Sequence, residues 1–362
     1  MIKTYTKGVG LIFVIVLFLA YFMLGQDNPV KNTQINKVGD ELVIVDSGGD
    51  NTKARIKANI IPFEKLSGIK VTIVNSTDYQ LITDAVEKNE NIFDVVNVDS
   101  CFGTNIGNKG YLESIDYNVV SKDDLRICEQ YVVGAEVYAN VIAYNTNFFN
   151  ESTRPKDYKD FFDNNKIFGA KAIPRDPVGL LEAALLADGV SYESLYPLDV
   201  KRALNKLETI KDDIVWWKDG DEPIKLLNQN KVLLAIAWSG RHILAKEKGA
   251  PIDITFYQAI KKTAAWVIPK DAPNLKNAMK FIKFISAKEA QAAYCREIPY
   301  GSTNKAIPDM LSPSQVEKIG FSSRFSNYQF FVDNEYWAVN YDKVNEIFNK
   351  WIKKHKFRKL DF

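Results

Sequence analysis

The stretch Lys231-Val232-Leu233-Leu234-Ala235-Ile236-Ala237-Trp238-Ser239-Gly240-Arg241 decides the fold. A continuous apolar run of this kind suits a strand covered on both faces, as in a largely parallel sheet flanked by helices. The run stops at Ser239-Gly240, where a helix N-terminus is expected, so Trp238 stands at the carboxyl end of a buried strand. In open α/β sheets small molecules sit beyond those ends. Two readings of Trp238 stand open: a ring that walls a ligand, or core filler at a strand end.

Working outward, the chain alternates strand and helix in the rhythm of βαβ units. Residues 42–45 read as a first strand ended by Ser47-Gly48-Gly49-Asp50, followed by a helix through Ile56, Ile60 and Phe63 closed by Ser67-Gly68, then a strand over 69–74. The pattern repeats with a helix over 78–88, a strand over 92–98 and a loop over 99–103. A long apolar strand over 135–144 comes next. The second set has a short strand over 171–174, a helix opened by Pro177, strands over 214–217 and 232–238, return strands over 252–256 and 265–268, and a largely helical remainder. Strands that leave one α/β half and return to it, near 140–145 and 264–269, predict two lobes around a cleft that closes on a ligand.

With 362 residues, 46% hydrophobic and 25% charged, the chain is long enough for two such lobes. A formal net charge of +2 gives no excess of cations for a nucleic-acid surface. Lys3 and Lys7 precede an uncharged apolar run over 8–25, which reads as an export segment: a signal peptide or an uncleaved membrane anchor at 1–26. A polar linker over 27–39 follows, and the exported body without Lys3 and Lys7 is formally neutral. No cofactor is expected, and Cys101, Cys128 and Cys295 are not spaced as a metal site. With only His242 and His355 in the chain, a histidine-based triad also has little to build on.

Phe63-Glu64-Lys65-Leu66-Ser67-Gly68-Ile69-Lys70-Val71 and Phe93-Asp94-Val95-Val96 are similar to the "F-E-x-x-T-G-I-x-V" and "Y-D-V-V" segments of the extracellular solute-binding proteins of ABC importers, in the spermidine and putrescine branch. Trp238-Ser239-Gly240-Arg241 resembles that family's "W-N-G-R", and Ile298-Pro299-Tyr300-Gly301 with Asn304 its "I-P-Y-G-P-x-N". The hinge resemblance lies at Ile142-Ala143-Tyr144-Asn145-Thr146, and second-lobe matches lie at Ala187-Asp188-Gly189-Val190 and Leu195-Tyr196-Pro197-Leu198-Asp199. The resemblance implies a two-lobe periplasmic-binding-protein fold of type II, each lobe a mixed sheet flanked by helices and joined by two hinge strands. Lobe 1 spans 40–142 with 268–311, and lobe 2 spans 143–267 with 312–362. It also implies a periplasmic monomer that binds a small organic cation, polyamine-like, and hands it to a membrane permease with its ATPase. No catalysis is implied.

In such receptors aromatic rings hold the methylene chain and carboxylates hold the ammonium ends. The resemblance carries the aromatic part to Trp238 and Tyr300, with Trp337 near a further contact segment. The carboxylate part fits poorly, because Ala264 and Gly179 stand where polyamine receptors carry acids. Asp99 and Asp176, at strand ends, are the substitutes, although Asp176 before Pro177 is also a natural N-cap. Ser47, Phe102 and Ser239 complete the candidate set. Arg241 is either a fork for a ligand carboxylate, which suits an amino-acid-like or opine-like zwitterion, or a salt bridge that fixes its loop. Cys128 and Cys295 each precede a segment expected to approach the hinge, which makes them the disulfide candidate and leaves Cys101 unpaired. The more distant alternative is an exported carbohydrate-active enzyme using Asp99 and Asp176 as its carboxylate pair.

Overall fold

A computed structural model describes residues 41–320 and 323–358. The export segment and linker lie outside the described residues. Among those residues, no helix is long and apolar enough to cross a membrane.

The strands form one mixed sheet: β1 (Glu41–Asp46), β2 (Lys70–Asn75), β3 (Val95–Asp99), β4 (Val133–Asn145), β5 (Lys171–Pro174), β6 (Ile214–Trp217), β7 (Leu234–Trp238), β8 (Ile252–Val267), β9 (Gly301–Ser302) and β10 (Phe330–Phe331). Their order is β2-β1-β3-β8-β4-β7-β5-β6, with β10 against β8 and β9 against β4. β1 pairs parallel with β2 and β3, and β5 pairs parallel with β6 and β7. Each of these groups is a βαβ-type half. The two are joined through β4 and β8, which run antiparallel from Val133↔Trp266 to Asn145↔Ile252. β8 also pairs with β3, and β4 with β7. The β4–β8 register shifts between Asn140 and Ile142, which places an irregularity midway between the halves.

Each half buries its own core. Phe63 packs edge-on to Phe281, which meets Trp266 on the first side. The second side is filled by Phe161, the buried helix Leu180–Ala187, Trp337 and Phe348. The long helix Asn334–Lys354 serves both halves, because Asn105 Nδ2 donates to the Ala338 carbonyl while Trp351 Nε1 donates to Glu208.

Three expectations need correction. The return strands over 252–256 and 265–268 are one 16-residue strand, β8, whose polar centre, Lys262 and Thr263, is buried. The 99–103 loop is instead the start of a helix, Ser100–Asn108, which begins directly after β3. Cys128 and Cys295 are not joined, and all three cysteines are free thiols. Cys295 packs among Ala292, Ile307 and Leu311, and burial pushes its thiol up to about 12. Burial also holds Cys101 well above the ordinary thiol range, so neither is a reactive thiolate.

Candidate ligand-binding site

β7 delivers Trp238 at its end, and the helix Ser239–Glu247 begins at the next residue, as the apolar run predicts. Trp238 keeps an exposed edge and sits among aromatics, with Trp217 at 5.1 Å and Tyr138 at 5.8 Å between ring centroids, both edge-on. Tyr138 in turn meets Tyr300 at 6.1 Å. Gly220 and Gly240 make room for this group: a Cβ at Gly220 would lie 2.4 Å from the Trp238 ring, and one at Gly240 would lie 2.5 Å from Tyr300. Ser239 is buried, its Oγ accepting from the Ala139 backbone N–H.

Arg241 is fully buried beside this cluster, its guanidinium carbon 5.3 Å from the Trp238 ring centroid. Nη1 donates to Asp221 Oδ1 at 2.7 Å, and Nη2 donates to Ser47 Oγ at 3.0 Å, while Nε is buried without a partner. Arg241 therefore spans from the second half of the sheet to the loop after β1 in the first. Asp50–Lys248 at 2.8 Å and Thr77 to the Lys218 carbonyl at 3.2 Å cross between the same halves. Gly48 and Gly49 adopt positive φ, 76° and 59°, and a Cβ at Gly49 would lie 2.4 Å from Arg241 Nη1. Here glycine is required both for backbone conformation and for close approach.

Behind Ser47 lies a buried ionic platform. Asp46 accepts from the Ser47 N–H at 2.9 Å, Asn51 Nδ2 at 3.0 Å, Thr52 Oγ1 at 3.0 Å and Arg55 Nε at 3.1 Å. Arg55 Nη2 donates to Glu136 at 2.9 Å, and the guanidinium lies between Trp266 and Tyr294 at 4.6 and 4.4 Å from their centroids. Burial raises the Glu136 carboxyl against the opposing pull of Arg55.

A second charged group lies at the centre of the sheet. Lys262 on β8 places Nζ 2.7 Å from Asp99 Oδ2 and 2.8 Å from Asp176 Oδ2. The Tyr138 hydroxyl donates to Asp99, and the Val178 N–H donates to Asp176 Oδ1 at 3.0 Å. Asp176 thus keeps its turn role and gains an ion pair. Burial opposes the Lys262 charge, but the two carboxylates outweigh it and hold the ammonium well above its ordinary range. Phe102 lies between Tyr79, tilted at 5.0 Å, and Tyr341, edge-on at 5.2 Å, so it belongs to an aromatic cluster near this group.

Tyr138, Tyr79, Tyr341, Asp221 and Lys262 were absent from the sequence expectation. Trp337 is a correction: it is fully buried in the second core, its Nε1 donating to Glu182 at 2.7 Å, because the helix turns that face inward rather than to the cleft.

The His242 ring is fully buried and donates from Nδ1 to the Trp238 carbonyl at 3.0 Å; burial pushes its pKa down to about 4. The unfolded chain takes up this proton first, so the associated stability is present above pH 6.5 and is lost as pH falls toward 4, by roughly 3 kcal/mol. His242→Asn keeps a donor without the titration. The stability advantage of wild type over this variant, from urea melts at pH 7 and pH 4, is expected to shrink by about that amount. A pH-independent difference contradicts the assignment.

Residues 59–318 match the family described as bacterial extracellular solute-binding proteins. The chain belongs to that family. A gamma-aminobutyric acid-binding protein of Pseudomonas aeruginosa is 27% identical over 319 residues, covering 86% of this chain and 90% of that one. The structure of the AgtB binding protein of A. tumefaciens R10 in complex with agropinic acid is 32% identical, with a TM-score of 0.82 over 87% of this chain and 99% of that one. The spermidine/putrescine-binding periplasmic protein of Escherichia coli K12 is 25% identical over 147 residues, 40% of this chain and 42% of that one. Solute-binding proteins of this family bind small molecules and work with ABC permeases, and they are not enzymes. The carbohydrate-active alternative is thereby set aside, and in this chain both of its carboxylates are held by Lys262.

Proposed function

We propose that this protein is the periplasmic receptor of an ABC importer and that its ligand is a small zwitterion carrying a carboxylate and an ammonium, amino-acid-like or opine-like. Lobe 1 is built around β1–β3 and lobe 2 around β5–β7, with β4 and β8 running through both, and the receptor acts as a monomer. The ligand favours the closed arrangement by touching both lobes, and closure is what the permease reads.

Arg241 carries the ligand assignment. A buried guanidinium with an unpartnered Nε, lying on an aromatic wall and reaching across to Ser47, suits a carboxylate. Trp238, Tyr138 and Tyr300 offer apolar faces to the intervening carbons. Asp99, Asp176 and Lys262 together carry one net negative charge, which suits one ammonium. A bare polyamine brings a second ammonium that this single net negative charge does not balance. The relatives that bind gamma-aminobutyric acid and agropinic acid, both carboxylate-bearing, support the same choice.

A thermal-shift panel of amino acids, ω-amino acids and opine-like compounds, set beside putrescine and spermidine, tests this reading. A carboxylate-bearing amine is expected to raise the melting temperature, with roughly 2.7 kcal/mol of stabilisation at a hundredfold excess over Kd. Stabilisation by the polyamines alone contradicts it.

A further inference from the structure

We propose that Lys262 is a tethered ammonium that takes up one of the two negative charges of Asp99 and Asp176, and so sets this receptor against dicationic ligands. The proposal deepens the zwitterion reading and rests on it for the identity of the cleft.

The three groups come from separate elements: Asp99 from the end of β3, Asp176 from the turn after β5, and Lys262 from the middle of β8. The carboxylates therefore converge from the two halves of the sheet, and the cation between them belongs to the strand that joins those halves. The remaining oxygens are taken up as well, Asp99 Oδ1 by the Tyr138 hydroxyl and Asp176 Oδ1 by the Val178 N–H. Lys262 Nζ also lies 5.6 Å from the Tyr138 ring centroid. Two carboxylates and an aromatic face are the surroundings that an alkylammonium from solution would seek. Here a side chain supplies it.

The consequence is a charge count. With Lys262 the group carries one net negative charge, and without it two, so lysine at this position subtracts one ammonium from what the cleft accepts. A buried lysine between two acids has a purely structural alternative, in which it only stabilises the fold. The two differ in one respect: a structural lysine, once truncated, leaves a weaker protein with unchanged ligand preference, whereas a tethered ammonium leaves a vacancy that an external amine fills.

Calorimetric titrations of wild type and Lys262→Ala at pH 7 with 1,4-diaminobutane, n-butylammonium and 4-aminobutanoate separate these outcomes. Wild type is expected to show no saturable binding of the diamine or of n-butylammonium. The alanine variant is expected to gain roughly 100-fold in affinity for the diamine, and its melting temperature is expected to rise with n-butylammonium. Micromolar binding of the diamine by wild type overturns the proposal, and so does a folded alanine variant that gains nothing. If alanine at 262 leaves the chain unfolded, Lys262→Gln takes its place, with an expected gain of roughly 10-fold and the absence of any gain as the overturning result. Amino-acid binding by wild type with no gain in the variant removes this proposal and leaves the zwitterion reading standing. Diamine binding by the variant of a protein that binds no amino acid does the reverse.

Discussion

Arg241→Met is expected to weaken binding of the carboxylate-bearing ligand by roughly 100-fold, because charge-assisted hydrogen bonds from a buried guanidinium contribute about 1.5–3 kcal/mol. Methionine keeps most of the apolar stem that packs beside Trp238, so the loss falls on the charged head. Asp221, which loses its partner at 2.7 Å, retains contact with solvent and is rehydrated, so the melting temperature is expected to fall by only a few degrees. Arg241→Lys restores a point charge but not the planar fork, and is expected to recover less than a tenth of the lost affinity. Isothermal calorimetry on the three proteins checks the series. An unchanged affinity in the methionine variant assigns Arg241 to loop fixation alone.

The second large effect is on stability. Arg55→Met leaves Asp46 and Glu136 buried without their cation, and breaking a buried pair by removing one partner costs about 3–5 kcal/mol. The variant also loosens the carboxylate that accepts from the Ser47 N–H, so the loop facing Arg241 loses its anchor and ligand affinity falls with stability. The pH dependence has a definite sign. Burial already raises Glu136, and without Arg55 opposing it the carboxyl takes up a proton more readily in the folded protein. The penalty is therefore expected to be smaller at pH 5 than at pH 8. Urea melts at the two pH values measure it, and a loss below about 1 kcal/mol at pH 8 contradicts the role given to the platform.

Much of the fold was legible because the two halves obey simple patterns. The apolar run at 232–237 is a buried strand ending in Trp238, and the apolar run at 135–144 lies within β4. Gln258, Lys261, Lys262 and Thr263 break the apolar pattern of β8, so its sequence reads as two strands. A strand whose centre is polar reads as two strands and a loop until a partner for Lys262 is known. That interruption was itself the signal, since a buried lysine needs polar acceptors converging on it. Trp238, Arg241 and Ser47 are singled out by strand ends and turns and Tyr300 by the family resemblance, and the structure places the four near one another. Tyr138 escaped notice because it sits inside β4, where periodicity gives no hint that its ring faces Trp238 rather than core. Trp337 misled for the opposite reason: its place at a helix start was right, but the helix phase directs it to Glu182. The Cys128–Cys295 pairing rested on where neighbouring segments run, and segment proximity does not fix the positions of Cβ atoms.

The most direct test of the account is a calorimetric titration of the wild-type chain with two ligands that share four carbons and one ammonium, 4-aminobutanoate and 1,4-diaminobutane. They differ only in whether the far end is a carboxylate for Arg241 or a second cation. Saturable binding of the amino acid with none of the diamine is the predicted result. Saturable binding of the diamine with none of the amino acid would contradict the roles assigned to both Arg241 and Lys262.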